Sequence, residues 1–329
     1  MNVNLKKCKS EAIGFVKNWS LPLAMASGVA GYFLYVSIPA LDSTHAFANK
    51  AVEFIQPALF FAMLFLTFLS VEPHDIHLRR WHLWNVLLQL FLFAGIAVLL
   101  GIYSDTKYRI LLESAMLCLL APTATAAAVV TRKLDGNPAD VIIYTNFINI
   151  AVAVSAPILL PLAHPHTGMT FISAFLMIMA QVFPILIFPL FLAWGFRAWL
   201  PRLTDRLRQF KDLPFYIWCV GLSLAIAVTV KAIVHSDVGW SLLGGIAIVS
   251  LVTCIFQFAV GKKIGERDGG EIESGQSLGQ KNPVFIIWLA YTFLTPVTAM
   301  AGGMYSLCHN LYNFYQLNKA RKRSESNKT

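Results

Sequence analysis

The segment Glu271-Ile-Glu-Ser-Gly-Gln-Ser-Leu-Gly-Gln-Lys-Asn-Pro283 gathers Glu273, Gln276, Gln280, Lys281 and Asn282 between strongly apolar flanks. Charged groups inside an apolar run are expensive to bury and tend to mark an ion or substrate path. Gly275 and Gly279 permit local unwinding, which would free backbone carbonyls for a cation while half-helix N-termini face an anion. Two plainer readings compete: a loop, with the apolar segment beginning near Pro283, or a structural ion pair between Glu273 and Lys281. The loop reading leaves only about eleven apolar residues before Pro296, too few to span a bilayer. Earlier in the chain, Cys118-Leu-Leu-Ala-Pro-Thr-Ala-Thr-Ala-Ala-Ala128 places Pro122 within another apolar run, followed by Thr123, Thr125 and small residues that allow close backbone approach. A broken helix and an ordinary proline kink both fit. Gln89, Tyr144, Thr145, Asn146 and Asn149 are further polar residues in apolar surroundings, read either as interhelical hydrogen-bond partners or as company for the two interrupted segments.

These residues have to be held by membrane helices. Of 329 residues 57% are hydrophobic and 13% charged, a balance no soluble core of this length can hide. A barrel would need alternating polarity, whereas 51–70 is apolar on every side. Hydropathy places spans near 20–41, 51–70, 81–101, 108–131, 138–162, 170–196, 213–234, 240–261, 270–294 and 297–317. All of the 26 Lys and Arg except Lys50, Lys107, Arg109, Lys231 and Lys281 then fall on the side of the N-terminus. That asymmetry predicts an even number of spans and cytoplasmic termini, and it accounts for the net charge of +9 without nucleic acid.

The expected architecture is therefore an all-α polytopic membrane protein of ten transmembrane helices. A cytoplasmic tail (1–19) precedes a first five-helix unit (20–162), a second unit (170–317) and a short disordered basic tail (318–329) drawn to anionic lipid. Five is odd, so the second unit enters the membrane from the opposite side, and related halves would be inverted repeats. The fourth and ninth helices would be the broken ones, meeting near the midplane around Pro122 and Gly275.

The arrangement resembles the bile acid:sodium symporter (BASS) family over most of the chain, and two motifs carry the resemblance. The family's Pro-Gly-Gly-Thr-Ala-Ser-Asn crossing motif corresponds to Pro122-Thr-Ala-Thr-Ala-Ala-Ala128, and its Arg-Gly-Asn is echoed by Asp135-Gly136-Asn137. Its Glu-Val-Gly-Met-Gln-Asn-Ser corresponds to Glu273-Ser-Gly-Gln-Ser-Leu-Gly279. The resemblance implies two inverted five-helix repeats, sodium as coupling ion and an organic anion as substrate. One implied sodium site maps onto Ala127, Ala128, Val141, Thr145 and Glu273. Three of these lack side-chain oxygens, so that site is lost or rebuilt from Asn146 and Asn149. The other maps onto Glu273, Ser277 and Gln89 and retains its oxygens. Lys281 then has four readings: an ammonium replacing a coupling sodium, a proton carrier, a partner for an anionic substrate, or a structural lysine.

The expected function is secondary active transport of a small organic anion, coupled to sodium or protons by alternating access, in a cell (inner) membrane. The cation is expected at Gln89, Thr145, Glu273 and Ser277. The substrate and crossing are expected at Pro122, Thr123, Thr125, Asn146, Asn149, Gly275, Gln276, Gln280, Lys281 and Asn282. The different-class alternative is a transporter-fold receptor that binds a ligand without flux. No cofactor is expected. The chain lacks H-E-x-x-H, G-x-S-x-G, Walker and aspartate-rich motifs, so enzyme and ATP-driven pump lack their usual parts. Five scattered cysteines imply neither a disulfide framework nor a zinc site. Glu72-Pro-His-Asp-Ile-His77, His164 and His166 are weak metal candidates, read as membrane-edge loops.

Overall fold

A computed structural model describes residues 19–20, 22–70, 77–104, 106–165, 168–210 and 213–326, with the side chains of 324 and 325 excepted. The tail 1–18, the loop 71–76 with most of the candidate metal residues, His166 and residues 327–329 lie outside them. The described chain is almost entirely helical. In order it forms α1 (Pro22–Val36), a 3-10 turn (Pro39–Thr44), α2 (His45–Ser70), α3 (Arg80–Ile102) and α4 (Arg109–Leu120). Then come α5 (Ala126–Lys133), α6 (Pro138–Ala163), α7 (Phe171–Trp199), α8 (Pro201–Arg208) and α9 (Leu213–Val234). The last four are α10 (Trp240–Glu266), α11 (Glu271–Gly279), α12 (Pro283–Phe293) and α13 (Pro296–Ser326). Among the described residues six helical stretches, including the 3-10 turn running into α2, are long and apolar enough to cross a membrane, and α1 and α12 are shorter apolar helices. The chain is an integral, polytopic helical membrane protein.

Three expectations are corrected. The second span begins at His45, directly after the 3-10 turn, because Pro39 breaks the preceding segment and nothing between His45 and Lys50 does. The basic C-terminal segment continues α13 as helix to Ser326. Lys, Arg, Gln and Ala are good helix formers, and cations are favoured at a helix C-terminus. The third concerns the second interruption. Residues 271–279 are helical, and the chain leaves helix at Gln280–Asn282.

Gly275 and Gly279 therefore serve packing and not unwinding. A Cβ on Gly279 would enter the Phe258 ring, one on Gly275 would meet Lys262, and one on Gly261 would meet the Ser274 carbonyl. Glycines on both helices let α10 and α11 pack as a tight antiparallel pair. Ser274 Oγ donates to Gly261 O (2.6 Å) across that contact.

The breaks themselves follow from sequence. Pro122 pushes Ala121 to extended backbone (ψ 138°) and ends α4. Two Asn-Pro pairs start helices: Asn137 accepts from Ala139 N ahead of α6, and Asn282 accepts from Val284 N and Phe285 N ahead of α12. In each, asparagine caps and proline takes the first turn, where no amide donor is needed. The largest apolar core cluster includes Phe60, Trp81, Phe93, Tyr144, Ile178, Trp218 and Phe285, and a second joins Cys118, Phe258, Met300 and Tyr305.

Candidate functional site: the crossing of two broken helices

The two breaks meet. Ala124 N donates to Gln280 O (2.8 Å) and Asn282 N to Pro122 O (2.9 Å), an antiparallel bridge between Thr123 and Lys281. Thr123 Oγ1 also donates to Ser277 O (2.6 Å). Backbone groups freed by the two interruptions thus satisfy one another, which is what irregular backbone inside a membrane protein requires. This pairing brings Pro122, Thr123, Ser277, Gln280, Lys281 and Asn282 together, all buried.

Gln89 of α3 holds the assembly from one side. Its Nε2 donates to Leu120 O (2.9 Å) and Ala121 O (3.0 Å), the last carbonyls of α4. Its Oε1 accepts from Lys281 Nζ (2.5 Å) and from Tyr144 OH (3.3 Å). Lys281 is wholly buried, and among the described residues no carboxylate pairs with it. The ion pair between Glu273 and Lys281, one of the two plainer readings of this segment, is not formed. Glu273 turns instead to the start of α6, where its Oε1 accepts from Asn137 N (2.5 Å) and packs beside Gly136.

At the crossing, Ser277 Oγ, both side-chain polar atoms of Gln280 and Asn282 Nδ2 are buried and make no hydrogen bond to the described chain, and on α6 the same holds for Asn146 Oδ1 and both ends of the Asn149 amide. Native interiors leave few such atoms, and this chain has others elsewhere, among them Trp218 Nε1 and both ring nitrogens of His309. Other expected site residues have partners that give them structural duties. Thr145 Oγ1 donates to Val141 O (2.8 Å) within its own helix, and Gln276 Nε2 donates to Asn313 Oδ1 (3.0 Å). The Asn282 carbonyl oxygen is spent on the α12 cap. Ala127, Ala128 and Val141 pack into a small apolar cluster, and Ala128 also lines a cavity.

Two cavities open in the helical body, and one of them reaches the crossing. One of about 990 Å³ lies among α1, α2, α9 and α12 and is lined by Tyr32, Asn49, Gln56, Lys231, His235 and Trp288, among others. The second, about 530 Å³, lies among α2, α5, α6 and α8 and includes Thr67, Thr125, Arg132, Asp205 and Arg208. Thr125, whose hydroxyl contacts Met63 Sδ (3.7 Å), carries the crossing onto the wall of the second. Neither cavity is lined by Lys281 or Gln89.

Sequence reasoning passed over two groups. Glu113 on α4 is buried and accepts from Arg109 Nε (2.9 Å) and Thr298 Oγ1 (3.0 Å), with His164 Nδ1 at 2.9 Å. On α10, Gln257 Nε2 donates to Cys118 O (3.2 Å) and Tyr305 OH (2.9 Å), and that hydroxyl donates to Gly279 O (2.7 Å). The available signal for Gln257 was its amide in the otherwise apolar run from Ile255 to Val260. His164 stands near Arg109 and Glu113, not at a metal cluster, and no group of metal-binding side chains exists among the described residues. No family model matches the sequence, and no curated protein matches it.

Proposed function

We propose that the chain is a secondary transporter that carries a small organic anion by alternating access, a divergent relative of the bile acid:sodium symporter family. The observation that carries this reading is the hydrogen-bonded crossing of two broken helices, surrounded by buried amides without chain partners. Discontinuous helices crossing at a repeat interface are the usual construction of a transporter's binding site. In this reading α4/α5 and α11/α12 are the broken fourth and ninth of ten spans, and α8 lies outside the count.

The packing supports inverted repeats. α3 packs on α4 and α6 as α10 packs on α11 and α13, and α5 packs on α6 as α12 packs on α13. A glutamine–tyrosine pair recurs as well: Gln89 with Tyr144 holds carbonyls at the end of α4, and Gln257 with Tyr305 holds Gly279 O at the end of α11. The two cavities, toward opposite ends of α2, suit access from either side of one site. Lys231 and His235 in one and Arg132 and Arg208 in the other supply the basic groups an anion would meet. Glu273 is the carboxylate proposed to carry the coupling cation, sodium or proton.

One observation favours a second reading, a receptor that binds without flux. The apolar cluster of Ala127, Ala128 and Val141 stands where the resemblance puts ion ligands. Uptake assays on purified protein in liposomes, guided by thermal-shift screening of organic acids in sodium, potassium and varied pH, separate the two. Saturable uptake that follows a cation gradient supports the transporter. Ligand-dependent stabilisation without uptake supports the receptor.

A further inference from the structure

We propose that Lys281 is the resident cation of the crossing: its ammonium takes, on the Gln89 amide oxygen, the place beside the break in α4 that a free cation would otherwise occupy. The inference deepens the transporter reading above and rests on it for its role in transport. The C-terminal pole of a helix carries about half a negative charge on carbonyls without helical partners. Where a membrane helix is broken, that pole and the unwound carbonyls are the customary seat of a coupling cation. In this chain the α4 pole is engaged by Gln89, whose amide nitrogen takes Leu120 O and Ala121 O. That orientation aims the amide oxygen the other way, at Lys281 Nζ, and Tyr144 OH converges on the same oxygen.

Lys281 has no other side-chain acceptor among the described residues. No carboxylate there pairs with it, and Glu273 is turned to Asn137 N. A buried ammonium without a counter-charge is costly unless dipoles stabilise it. The α4 pole, relayed through one amide, is the dipole that the structure provides. A direct anion contact is disfavoured by placement, because Lys281 and Gln89 line neither cavity and Thr123 and Thr125 lie between the break and the second one. A tethered cation does not leave with the substrate, so this seat contributes a fixed charge, and ion coupling falls to Glu273.

The test is melting temperature of the purified full chain, with sodium, ammonium or choline chloride exchanged at constant ionic strength. Wild type should show no small-cation stabilisation that depends on Gln89. Lys281→Ala should be less stable in choline and regain a few degrees in sodium or ammonium, and Lys281→Ala combined with Gln89→Leu should lose that regain. Lys281→Met, which keeps the length without the charge, should be destabilised in every salt. Lys281→Met as stable as wild type would overturn the proposal, because the charge would then do nothing. Indifference of Lys281→Ala to the cation, or its failure to fold in every salt, overturns it too, since no free cation can then take the place. Absence of uptake for every organic acid would remove the transport reading and leave these melting shifts standing. Uptake without the shifts would do the reverse.

Discussion

Glu113 on α4 and Glu273 on α11 stand in corresponding places, each several residues before its break and each reaching the start of a long helix in the other half of the chain. Glu113 touches Thr298 in the first turn of α13, and Glu273 touches the Asn137 cap of α6. Their surroundings differ. Glu113 is met by Arg109 and His164, so its charge is balanced where it stands. Glu273 has one hydrogen bond among the described residues, from a backbone amide, and no basic partner there. One carboxylate is thus bound into the scaffold and the other is left with open acceptor capacity, the difference that the proposed transporter uses by giving the coupling cation to Glu273.

The sharpest way to break the comparison is to remove each carboxylate. Glu113→Ala takes the counter-charge from the Arg109 guanidinium, which keeps Ser104 O and Ala163 O, and one partner from the buried Thr298 hydroxyl, and breaking a largely buried pair costs about 3 kcal/mol. The expected result is a large fall in melting temperature, with Glu113→Gln intermediate because the amide keeps an acceptor. Glu273→Ala should abolish uptake while costing only about 1 kcal/mol, the value of a single hydrogen bond. Melting curves and liposome uptake measured on both variants decide it. If Glu273→Ala unfolds the protein, or retains uptake, the two glutamates are alike and the distinction falls.

A smaller effect tests whether the α10/α11 side owes its geometry to glycine. Gly279→Ala drives a methyl into Phe258, and overpacking of this kind costs about 1–3 kcal/mol. Gly244→Ala, on the same α10 but with open space around it, should be neutral or slightly stabilising through helix propensity. Equal melting temperatures for the two would mean that α11 can shift without penalty.

The residues explain what sequence could and could not supply. Span positions were legible because lipid imposes a length on apolar runs: α3, α6 and α9 begin and end close to the hydropathy limits, while α10 and α13 begin at theirs and run on past them. The existence of both breaks was legible, the first from Pro122 and the second from the polar run Glu273 to Asn282 with its two glycines. Their placement was not: glycine reads as a hinge in one dimension, and only the facing Phe258 and Lys262 reveal Gly279 and Gly275 as packing surfaces. Asn282 looked like a ligand, although the proline after it was the cue for a cap. Lys281 and Glu273 looked like a pair because they are near in sequence, but α11 and the break that follows it send them to Gln89 and Asn137, in different parts of the fold. Glu113 escaped notice because two of its partners, His164 and Thr298, come from distant segments.

The smallest effect on stability is expected at Asn149, and it sharpens the comparison from the ligand's side. Neither end of this buried amide has a hydrogen-bond partner among the described residues, so the fold gains nothing from its polarity. Replacing it by an apolar group of similar size removes two unsatisfied atoms, and Asn149→Leu should leave the melting temperature unchanged or raise it slightly. If the crossing is a binding site, the same substitution should weaken uptake and remove ligand-induced stabilisation, because the amide's only use is then the ligand. A variant that loses stability and uptake together would show Asn149 to be part of the scaffold, as Glu113 is. One that keeps both would move the ligand away from α6 and toward the cavity walls at Lys231 or Arg132.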